Sequence, residues 1–488
     1  MQSKVQEVEY NGKPKEECGV FGIYSNDVTD VAERTYYSLY ALQHRGQESC
    51  GIAVNDEGII NYYRDVGLVP DVFTHERLEK LGEGNMAIGH VRYSKKGNIT
   101  RSNAEPLVVR HIKGPMAISH NGCLINGHKL KKEFELEGGI FHGTNDAEVI
   151  AYTITAQRLL TGSIEKAVEQ AMYKMQGAYS LLVMSPSKLI AARDPMGFRP
   201  LCMGQTKDNC IVFASESCAL DILGAVFLRD LEPGEIVIVS HKGIESNKTH
   251  CGNKGSLCLF EYLYFARPDS IINGISVHKA RFNIGRILAK EHPANADVVI
   301  GVPDSGIDAA LGYAKESGIQ YDVGFIKNRY VTRSFIKPTQ NQRDDAVRIK
   351  FNAIKPIVSG KSVVIIDDSI VRGTSSRRIV KLIREAGARE VHMRISAPPF
   401  IDLCYFGTDI DSRKNLIAYK MSNDEITKHI GADSLGFLSV KGINSIGEEH
   451  GCGFCDGCFT GVYPIEVPDE LHKDKFEHKI HQEMQIKF

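Results

Sequence analysis

The sequence predicts two domains of different class: an α+β domain in its first half and an α/β domain with a parallel sheet in its second half. In the first half, short apolar runs alternate with glycine-rich turns, and helical stretches interrupt them, which indicates antiparallel sheets covered by helices. In the second half, strand-like and helix-like segments alternate, which is typical of βαβ units with right-handed crossovers. The length of 488 residues allows two large domains or about three of ~150 residues.

The individual elements follow from the same patterns. In the first half, the predicted strands are 19–24, 86–91, 116–120 and 179–184, and the predicted helices are 31–42, 147–160 and 164–175. In the second half, the predicted strands are 297–302, 363–366 and 391–395, and the predicted helices are 308–315 and 376–386. Gly318 and Gly387 stand where a glycine is expected to end each of the two later helices. The change of pattern near 250–255 indicates a linker.

Composition excludes several classes of function. The chain has 59 Lys and Arg against 60 Asp and Glu and no cationic tract, so neither nucleic acid nor a membrane surface is an expected partner. No apolar run approaches the ~20 residues that a membrane span needs. The N-terminus lacks the hydrophobic core of a secretory signal, so we expect a cytoplasmic protein.

In that compartment the twelve cysteines are expected to be thiols, thiolates or metal ligands rather than disulfides. Six of them have no neighbours that suggest chemistry, and most of these six should be buried as small apolar side chains. They are Cys50, Cys123, Cys202, Cys210, Cys218 and Cys251.

The most informative segment is 363–378, in which an apolar run ends in Asp367 and Asp368 before a short polar loop and a helix-like stretch. A fully apolar strand suits a parallel sheet that is covered on both faces. The N–H groups of the loop and of the first helical turn can bind an anion, and the helix dipole favours negative charge there. Two carboxylates beside such a site suggest a phosphorylated sugar, held by its ring hydroxyls or through a metal.

This segment resembles the ribose-phosphate-binding motif of type I phosphoribosyltransferases, and its Ser-Ile-Val-Arg-Gly-Thr form resembles that of the amidophosphoribosyltransferases. The resemblance implies that Ser305, Asp367 and Asp368 surround a complex of Mg²⁺ with phosphoribosyl pyrophosphate, in which the cation neutralises the leaving pyrophosphate. Ser305 could equally be only a helix N-cap. The residues implied to hold the 5-phosphate are Ser369, Arg372, Gly373 and Thr374.

A basic segment with interleaved aromatic residues, 327–336, would by itself be a surface loop. Beside the phosphoribosyl motif it resembles the loop that closes over the substrate in amidophosphoribosyltransferases. Thr332 stands where that family usually has glycine, which bears on the mobility of the loop, and Ile336 is a candidate for lining an ammonia route. The residues implied to meet the pyrophosphate or to order the loop are Lys327, Arg329, Tyr330 and Arg333.

Cys18 alone would be an ordinary cysteine before a strand. However, the motifs at 43–47, 89–93, 119–122 and 145–146 follow it in an order that resembles the N-terminal-nucleophile glutamine amidotransferases. In that family the mature chain begins at the cysteine, and its free α-amine, with an ordinary pKa of about 7.7–8.0, is the general base for the thiol. An internal cysteine has an amide in that place, so we predict that residues 1–17 are a propeptide that is removed.

The same resemblance assigns roles in amide hydrolysis. The Asn121 side chain and the Gly122 N–H would stabilise the oxyanion. Arg92 would hold the α-carboxylate of glutamine through two parallel hydrogen bonds, and Asp146 would hold its α-ammonium group. Arg45 would shape the pocket and couple it to the second domain.

Cys452, Cys455 and Cys458 form a C-x₂-C-x₂-C motif, whose spacing serves zinc or an iron–sulfur cluster. From spacing alone zinc is at least as plausible, and Cys258 and Cys404 are available as distant partners. One branch of the amidophosphoribosyltransferases carries a 4Fe–4S cluster. Since no substrate for redox chemistry is evident here, we expect such a cluster to be structural or oxygen-sensing. The ligands implied by the resemblance are Cys258, Cys404, Cys455 and Cys458, with Cys452 a bystander or a substitute ligand.

The resemblance covers the chain from Cys18 to about Pro464. It implies an N-terminal-nucleophile hydrolase domain of four αββα layers at 18–253, a type I phosphoribosyltransferase domain at 256–465 and a charged tail at 466–488. The implied reaction is hydrolysis of glutamine at Cys18 and transfer of the enclosed ammonia to phosphoribosyl pyrophosphate, the first step of de novo purine synthesis. A homotetramer inhibited by purine nucleotides is also implied.

Two alternative functions compete with this interpretation. One is a nucleotide-sensing or ammonia-dependent homologue with impaired glutaminase, which is supported by Lys95, since the family has at this position a threonine that helps to hold glutamine. The other is a different glutaminase-domain enzyme, such as glucosamine-6-phosphate synthase. The motif at 367–374 disfavours the second alternative, because a phosphosugar isomerase domain would not contain it.

Overall fold

The computed structural model describes residues 18–93, 100–328, 351–408, 410 and 412–468. Several sequence predictions concern positions outside the described residues. These positions are the propeptide 1–17, Lys95, the tail beyond 468 and, in the basic loop, Arg329, Tyr330, Thr332, Arg333 and Ile336.

The chain divides into two compact units. Among the described residues, the first unit comprises 18–93, 100–257, 405–408 and 463–468, and the second comprises 258–328, 351–404, 410 and 412–462. The order of motifs along the sequence does not indicate that two late segments belong to the first unit.

The described part of the chain has no helix that is long and apolar enough to cross a membrane.

The first unit is built on two antiparallel sheets, with strand orders β11-β9-β10-β1-β4-β2-β3 and β13-β12-β8-β7-β6-β5. The strands are β1 (Gly19–Thr29), β2 (Ser49–Asp56), β3 (Ile59–Val66), β4 (Gly84–Arg92), β5 (Leu107–His111), β6 (Gly114–Leu124), β7 (Gly177–Met184), β8 (Leu189–Arg193), β9 (Cys202–Gln205), β10 (Ile211–Ala214), β11 (Val226–Asp230), β12 (Ile236–Ser240) and β13 (Gly243–Asn247). The helices are α1 (Val31–Ala41), α2 (Val69–Val72), α3 (His75–Leu81), α4 (Gly127–Leu136), α5 (Asp146–Leu160), α6 (Ile164–Met172) and α7 (Cys218–Asp221), with a 3₁₀ turn at Arg101–Asn103.

Side-chain alternation explains why these layers stack. In β1, Val20 and Tyr24 belong to the core between the two sheets, whereas Phe21 and Ile23 belong to the core beneath α1, α2, α3 and α7. The second sheet packs its other face against α4, α5 and α6. Both faces of each sheet are therefore covered, which confirms the predicted four-layer αββα fold.

The second unit contains a parallel sheet with strand order β17-β20-β21-β22. The strands are β14 (Leu257–Cys258), β15 (Ile271–Ile272), β16 (Ile275–Ser276), β17 (Val298–Gly301), β18 (Phe325–Lys327), β19 (Phe351–Ala353), β20 (Ser362–Asp367), β21 (Glu390–Ile395), β22 (Ser434–Phe437) and β23 (Phe454–Cys455). The helices are α8 (Val277–Glu291), α9 (Gly306–Ser317), α10 (Lys355–Val358), α11 (Thr374–Glu385), α12 (Ile417–Lys420), α13 (Asn423–Ile430), α14 (Val440–Asn444) and α15 (Gly457–Thr460). A π-helical turn at Glu261–Phe265 and 3₁₀ segments at Arg413–Asn415 and Ser445–His450 complete the unit. The predicted α/β domain is confirmed.

The contact between α8 and α9 is so close that it requires glycine. A Cβ atom on Gly312 would lie 1.9 Å from the carbonyl oxygen of Phe282, and a Cβ atom on Gly285 would lie 1.9 Å from that of Ala309. Both obstacles are backbone atoms, so only a movement of one helix against the other could relieve the clash.

We therefore expect Gly312→Ala to destabilise the protein by about 2–3 kcal/mol, in the usual range for overpacking. Thermal unfolding should detect the change as a lower midpoint. The matched control is Gly162→Ala, because a Cβ atom there would meet nothing within 4 Å. Equal midpoints for the two variants would show that the helices can separate without cost.

Candidate active sites

The predicted nucleophile stands at the beginning of β1 in the first unit. Cys18 is half-buried, and its Sγ lies 3.6 Å from the carbonyl oxygen of Tyr93. Arg45, which is fully buried, donates from Nε to the carbonyl oxygen of Cys18 at 3.1 Å and from Nη1 to Glu216 Oε1 at 2.6 Å. Burial alone raises the pKa of Glu216, but the charges of His44 and Arg45 outweigh it and hold this pKa well below its usual range. The structure thus places Arg45 as an anchor of the Cys18 backbone.

The predicted oxyanion residues lie inside β6, which continues beyond the predicted strand 116–120. Asn121 and Gly122 pair with Ser180 and Tyr179 of β7. Asn121 is 1% exposed, and its Nδ2 has no hydrogen-bond partner among the described residues. Leaving a buried donor unpaired costs about 1–3 kcal/mol, so this amide is suited to a ligand. Gly122 has φ +141°, and a Cβ atom there would lie 2.1 Å from the Ala178 carbonyl oxygen, so only glycine fits.

Two of the residues predicted to bind glutamine, Arg92 and Asp146, keep polar atoms that no hydrogen bond to a described residue uses. Arg92, at the end of β4, donates from Nη1 to the Asn103 carbonyl oxygen at 2.6 Å and lies 3.6 Å from Glu105 Oε1. In the described chain these contacts use one nitrogen, which leaves the other edge of the guanidinium for a carboxylate. Asp146 begins α5 and accepts from the Leu124 N–H at Oδ2, 2.9 Å away, so Oδ1 can accept from an ammonium group.

Shared contacts bring these residues together. The Asn103 carbonyl oxygen accepts from Arg92 and also from Nδ2 of Asn145, at 3.1 Å, and Asn145 directly precedes Asp146. Gly19 pairs with Val91 across β1 and β4, which places Cys18 and Arg92 at the same end of neighbouring strands. The first unit therefore gathers a thiol, an unpaired amide donor, a guanidinium and a carboxylate.

The acidic pair of the second unit lies at the carboxyl end of β20, and both carboxylates are fully buried. Ser305 occupies the N-cap position of α9, but its hydroxyl does not cap the helix and donates instead to Asp368 Oδ2. The Ser369 hydroxyl donates to Asp368 Oδ1 at 2.5 Å. Ser305 could act as a helix N-cap or as part of the phosphoribosyl pyrophosphate site. Because its hydroxyl donates to Asp368, the structure favours the second role.

The predicted phosphate loop leads directly into α11. Gly373 has φ +77° and directly precedes Thr374, the first residue of that helix. The N–H groups at the helix N-terminus therefore follow directly on the loop, where they can bind an anion. Arg372 is half-buried and Thr374 is exposed. Lys327 ends β18 and forms an ion pair with Asp304. The predicted roles of these residues stay predictions.

The cysteines of the second unit lie near one another. Cys258 and Cys455 are in the paired strands β14 and β23. Burial raises the pKa of the Cys458 thiol well above its usual value, and the charges of Cys404, Cys258 and Cys455 raise it further. Among the described residues, no three His, Cys, Asp or Glu side chains are grouped closely enough to hold a single metal ion. Of the six cysteines whose neighbours suggest no chemistry, Cys123 and Cys251 are half-buried and the other four are buried, as most were predicted to be.

Glu105 and Glu216 contact site residues, although no sequence motif indicates either of them. Both are buried carboxylates, each 1% exposed. The Asp194–Arg199 turn was not predicted either. Within the first unit, Arg199 donates to the Phe406 carbonyl oxygen at 2.7 Å, and the rings of Phe198 and Phe406 stack at 4.1 Å, which explains how Tyr405–Asp409 joins this unit.

The fold and site of the first unit define a glutamine amidotransferase of the N-terminal-nucleophile class, and those of the second define a phosphoribosyltransferase. Family comparison agrees, since a glutamine amidotransferase domain matches residues 90–221 and a phosphoribosyl transferase domain matches residues 273–401. The amidophosphoribosyltransferase of Methanocaldococcus jannaschii is 50% identical, over 92% of this chain and 98% of its own length. That of Bacillus subtilis is 46% identical, over 93% and 95%. The chain belongs to the amidophosphoribosyltransferase family.

Solved structures support the same assignment. The glutamine phosphoribosylpyrophosphate amidotransferase of B. subtilis, solved in complex with ADP and GMP, superposes with a TM-score of 0.86 at 46% identity and covers 93% of this chain and 98% of that one. A structure described as the allosteric regulatory enzyme of purine biosynthesis superposes with a TM-score of 0.87, also at 46% identity.

Proposed function

We propose that this chain is a glutamine-dependent amidophosphoribosyltransferase that hydrolyses glutamine at Cys18 and passes the ammonia to C1 of phosphoribosyl pyrophosphate. The products would be 5-phosphoribosylamine, glutamate and pyrophosphate, in the first step of purine synthesis. The observation that carries the proposal is the pairing, in one chain, of a glutaminase site with an unpaired buried Asn121 amide and a buried Asp367–Asp368 site. Enclosure matters because ammonia in water would be protonated and lost.

The glutaminase residues act in sequence. After removal of 1–17, the α-amine of Cys18 takes the thiol proton, and Sγ attacks the amide carbon of glutamine. Asn121 Nδ2 and the Gly122 N–H donate to the oxyanion, and one such donor is worth about 2.7–4 kcal/mol. Arg92 and Asp146 hold the amino-acid head while the α-ammonium of Cys18 returns the proton to the leaving nitrogen, which departs as ammonia. Water then hydrolyses the thioester to glutamate and the free thiol.

The second site binds and orients the sugar phosphate. Asp367, Asp368 and the Ser305 hydroxyl fit Mg²⁺, because hard oxygen ligands beside a phosphate site are the kind this ion prefers. When bound, the ion would neutralise charge on the departing pyrophosphate. The loop from Ser369 to Thr374 would hold the 5-phosphate at the start of α11.

For the cysteines we propose a 4Fe–4S cluster rather than zinc. The thiols of Cys258, Cys404 and Cys455 lie near enough to Cys458 to act on its pKa, so the four cysteines of the implied ligand set lie together. The support for iron over zinc is the resemblance to the iron–sulfur branch of the family, in which four matching cysteines hold such a cluster.

Further features of the family stay predictions for this chain. These are the homotetramer, the cytoplasmic location and inhibition by purine nucleotides. The ADP and GMP bound to the B. subtilis relative support the last of these. The alternative of a homologue with impaired glutaminase is not favoured, since Cys18, Asn121, Gly122 and Asp146 are all in place.

An isotope experiment tests the proposed function. Purified protein receives phosphoribosyl pyrophosphate and glutamine labelled with ¹⁵N in its amide, first without ammonium and then with unlabelled ammonium at a concentration too low to support the ammonia-dependent reaction. We expect glutamate and pyrophosphate in equal amounts without ammonium, and ¹⁵N in the phosphoribosylamine under both conditions, because the ammonia does not mix with the solvent pool. Glutamine hydrolysis without pyrophosphate release would refute the transfer reaction.

Metal analysis tests the cluster. Anaerobically purified protein should contain about four irons and four sulfides per chain and absorb in the visible range. Cys455→Ser should lose this iron, whereas the neighbouring control Cys452→Ser should keep it. Colourless protein with stoichiometric zinc would refute the cluster.

A further inference from the structure

A carboxylate that no step of the proposed reaction uses is buried beside the glutamine site. Glu105 is 1% exposed and is surrounded by cationic or ionisable groups. Its Oε2 lies 3.1 Å from His120 Nδ1 and 3.8 Å from His90 Nε2, and its Oε1 lies 3.6 Å from Arg92 Nη1. Burial alone would raise the pKa of Glu105, but the charges of His120, His90 and Arg92 hold it at about 2. The group therefore remains ionised at neutral pH.

One oxygen of Glu105 holds the strand of the oxyanion donors. The backbone N–H of His120 donates to Oε2 at 2.9 Å, and the ring of the same residue contacts that oxygen. On the other side, His90 Nε2 lies 2.9 Å from the carbonyl oxygen of His120. Both backbone groups of the residue directly before Asn121 are thus held by side chains.

The other oxygen of Glu105 faces the residues that would bind the head of glutamine. Asn145 donates from Nδ2 to Oε1 at 3.3 Å, and Asn145 precedes Asp146 at the start of α5. Arg92 lies against the same oxygen and shares the Asn103 carbonyl with Asn145. One carboxylate therefore contacts Arg92 and the immediate neighbours of both Asn121 and Asp146.

We infer that Glu105 is a positioning residue of the glutaminase, which aligns Arg92 with the amino-acid head of glutamine and fixes β6 at the oxyanion donors. The inference rests on the proposed function. It assigns two separable tasks to the two oxygens: Oε1 governs glutamine binding, and Oε2 governs the geometry of the oxyanion site. Substitutions that remove one task or both should therefore have different kinetic signatures.

Glu105→Gln removes the charge next to Arg92 but leaves a carbonyl oxygen that can accept from the His120 N–H. We expect KM for glutamine to rise roughly tenfold, as for one weakened charge-assisted contact, with kcat within about twofold of the parent value. Glu105→Ala should raise KM similarly and also lower kcat by roughly tenfold or more, because the support of Asn121 is lost. Glu105→Asp, which keeps the charge, should recover part of the KM effect.

Alkylation of Cys18 by two reagents distinguishes a specific effect of Glu105 on binding of the amino-acid head from a general disturbance of the site. The glutamine analogue 6-diazo-5-oxo-L-norleucine carries the α-amino acid head, whereas iodoacetamide does not. In Glu105→Gln, inactivation by the analogue should slow roughly tenfold, in line with the change in KM, while inactivation by iodoacetamide stays within about twofold. If both reagents slow equally, or neither does, Glu105 is only structural and the inference is wrong.

The matched control is Glu235→Gln, another buried carboxylate of the first unit, which pairs with Arg229 and accepts from Ser246. It should lower stability without changing the ratio of the two alkylation rates. The midpoint of thermal unfolding reports whether each variant is folded, because ammonia-dependent activity would report only on the second unit. Should Glu105→Gln fail to fold, Asn145→Ala removes one Oε1 contact and should still raise KM; an unchanged KM would count against the inference. A parent protein that the analogue does not inactivate would instead refute the proposed glutaminase.

Discussion

Replacing Cys18 by alanine should abolish product formation from glutamine while leaving product formation from ammonia close to the parent rate. The thiol is the nucleophile of the proposed hydrolysis, and removing a nucleophile that acts with its base typically costs about 10⁴-fold or more in kcat. The ammonia-dependent reaction needs only the second unit, whose buried Asp367 and Asp368 do not depend on this thiol. Pyrophosphate release, measured with glutamine and then with ammonium chloride, gives both rates in one preparation.

The matched control is Cys251→Ala, because Cys251 is another half-buried thiol of the first unit and lies outside the site. It should leave both rates unchanged. Persistent glutamine-dependent activity in Cys18→Ala would mean that the nucleophile lies elsewhere. Intact mass of the active parent protein adds a separate check, since retention of residues 1–17 would remove the α-amine as general base.

The fold could be predicted largely because local apolar periodicity determines its elements. The predicted strand 363–366 is Ser362–Asp367, and the predicted helix 376–386 is Thr374–Glu385. The strand predicted at 116–120 is too short, since it continues through Asn121 and Gly122, a polar residue and a glycine that do not indicate a strand. Pairing of Asn121 and Gly122 with β7 extends β6 through these residues, and this pairing depends on a distant part of the chain.

The candidate site was predictable where its residues lie in motifs, and much less so where the fold supplies the partners. Cys18, Arg92 and Asn121 each lie in a motif of the resemblance. Glu105 and Glu216 carry no such signal, because a carboxylate can be buried only when cations surround it, and those cations come from other strands and helices. The contact of Arg45 with Glu216 could not be predicted either, because the two residues lie far apart in the sequence and only the fold brings them together.

Asp368→Asn should have the opposite pattern to Cys18→Ala: it should lose product formation from both glutamine and ammonia. The Asp368 carboxylate is fully buried and accepts hydroxyl hydrogen bonds from Ser305 on one oxygen and Ser369 on the other. An amide offers one acceptor and no charge, so it can neither satisfy both hydroxyls nor help to hold a cation. We expect a loss of roughly 100-fold or more in kcat/KM for phosphoribosyl pyrophosphate, since metal-assisted charge stabilisation is worth several kcal/mol.

Asp297→Asn provides the control for Asp368→Asn, because this carboxylate belongs to the same unit and is about half exposed. It should keep both activities. In Asp368→Asn, alkylation of Cys18 by 6-diazo-5-oxo-L-norleucine should continue, which shows that the first site is intact. Near-parent rates in Asp368→Asn would exclude this carboxylate from the transfer site.

A mixture of the two variants tests whether ammonia is confined. Asp368→Asn still hydrolyses glutamine but cannot transfer ammonia, and Cys18→Ala transfers ammonia but cannot release it from glutamine. If ammonia moves only within one chain, the mixture should stay inactive with glutamine, although ammonium chloride activates its Cys18→Ala component. If ammonia escapes into water, one variant will feed the other, and a glutamine-dependent rate that rises with protein concentration will appear. The single variants assign each chemical step to its site, and the mixture decides whether the two sites share an enclosed intermediate.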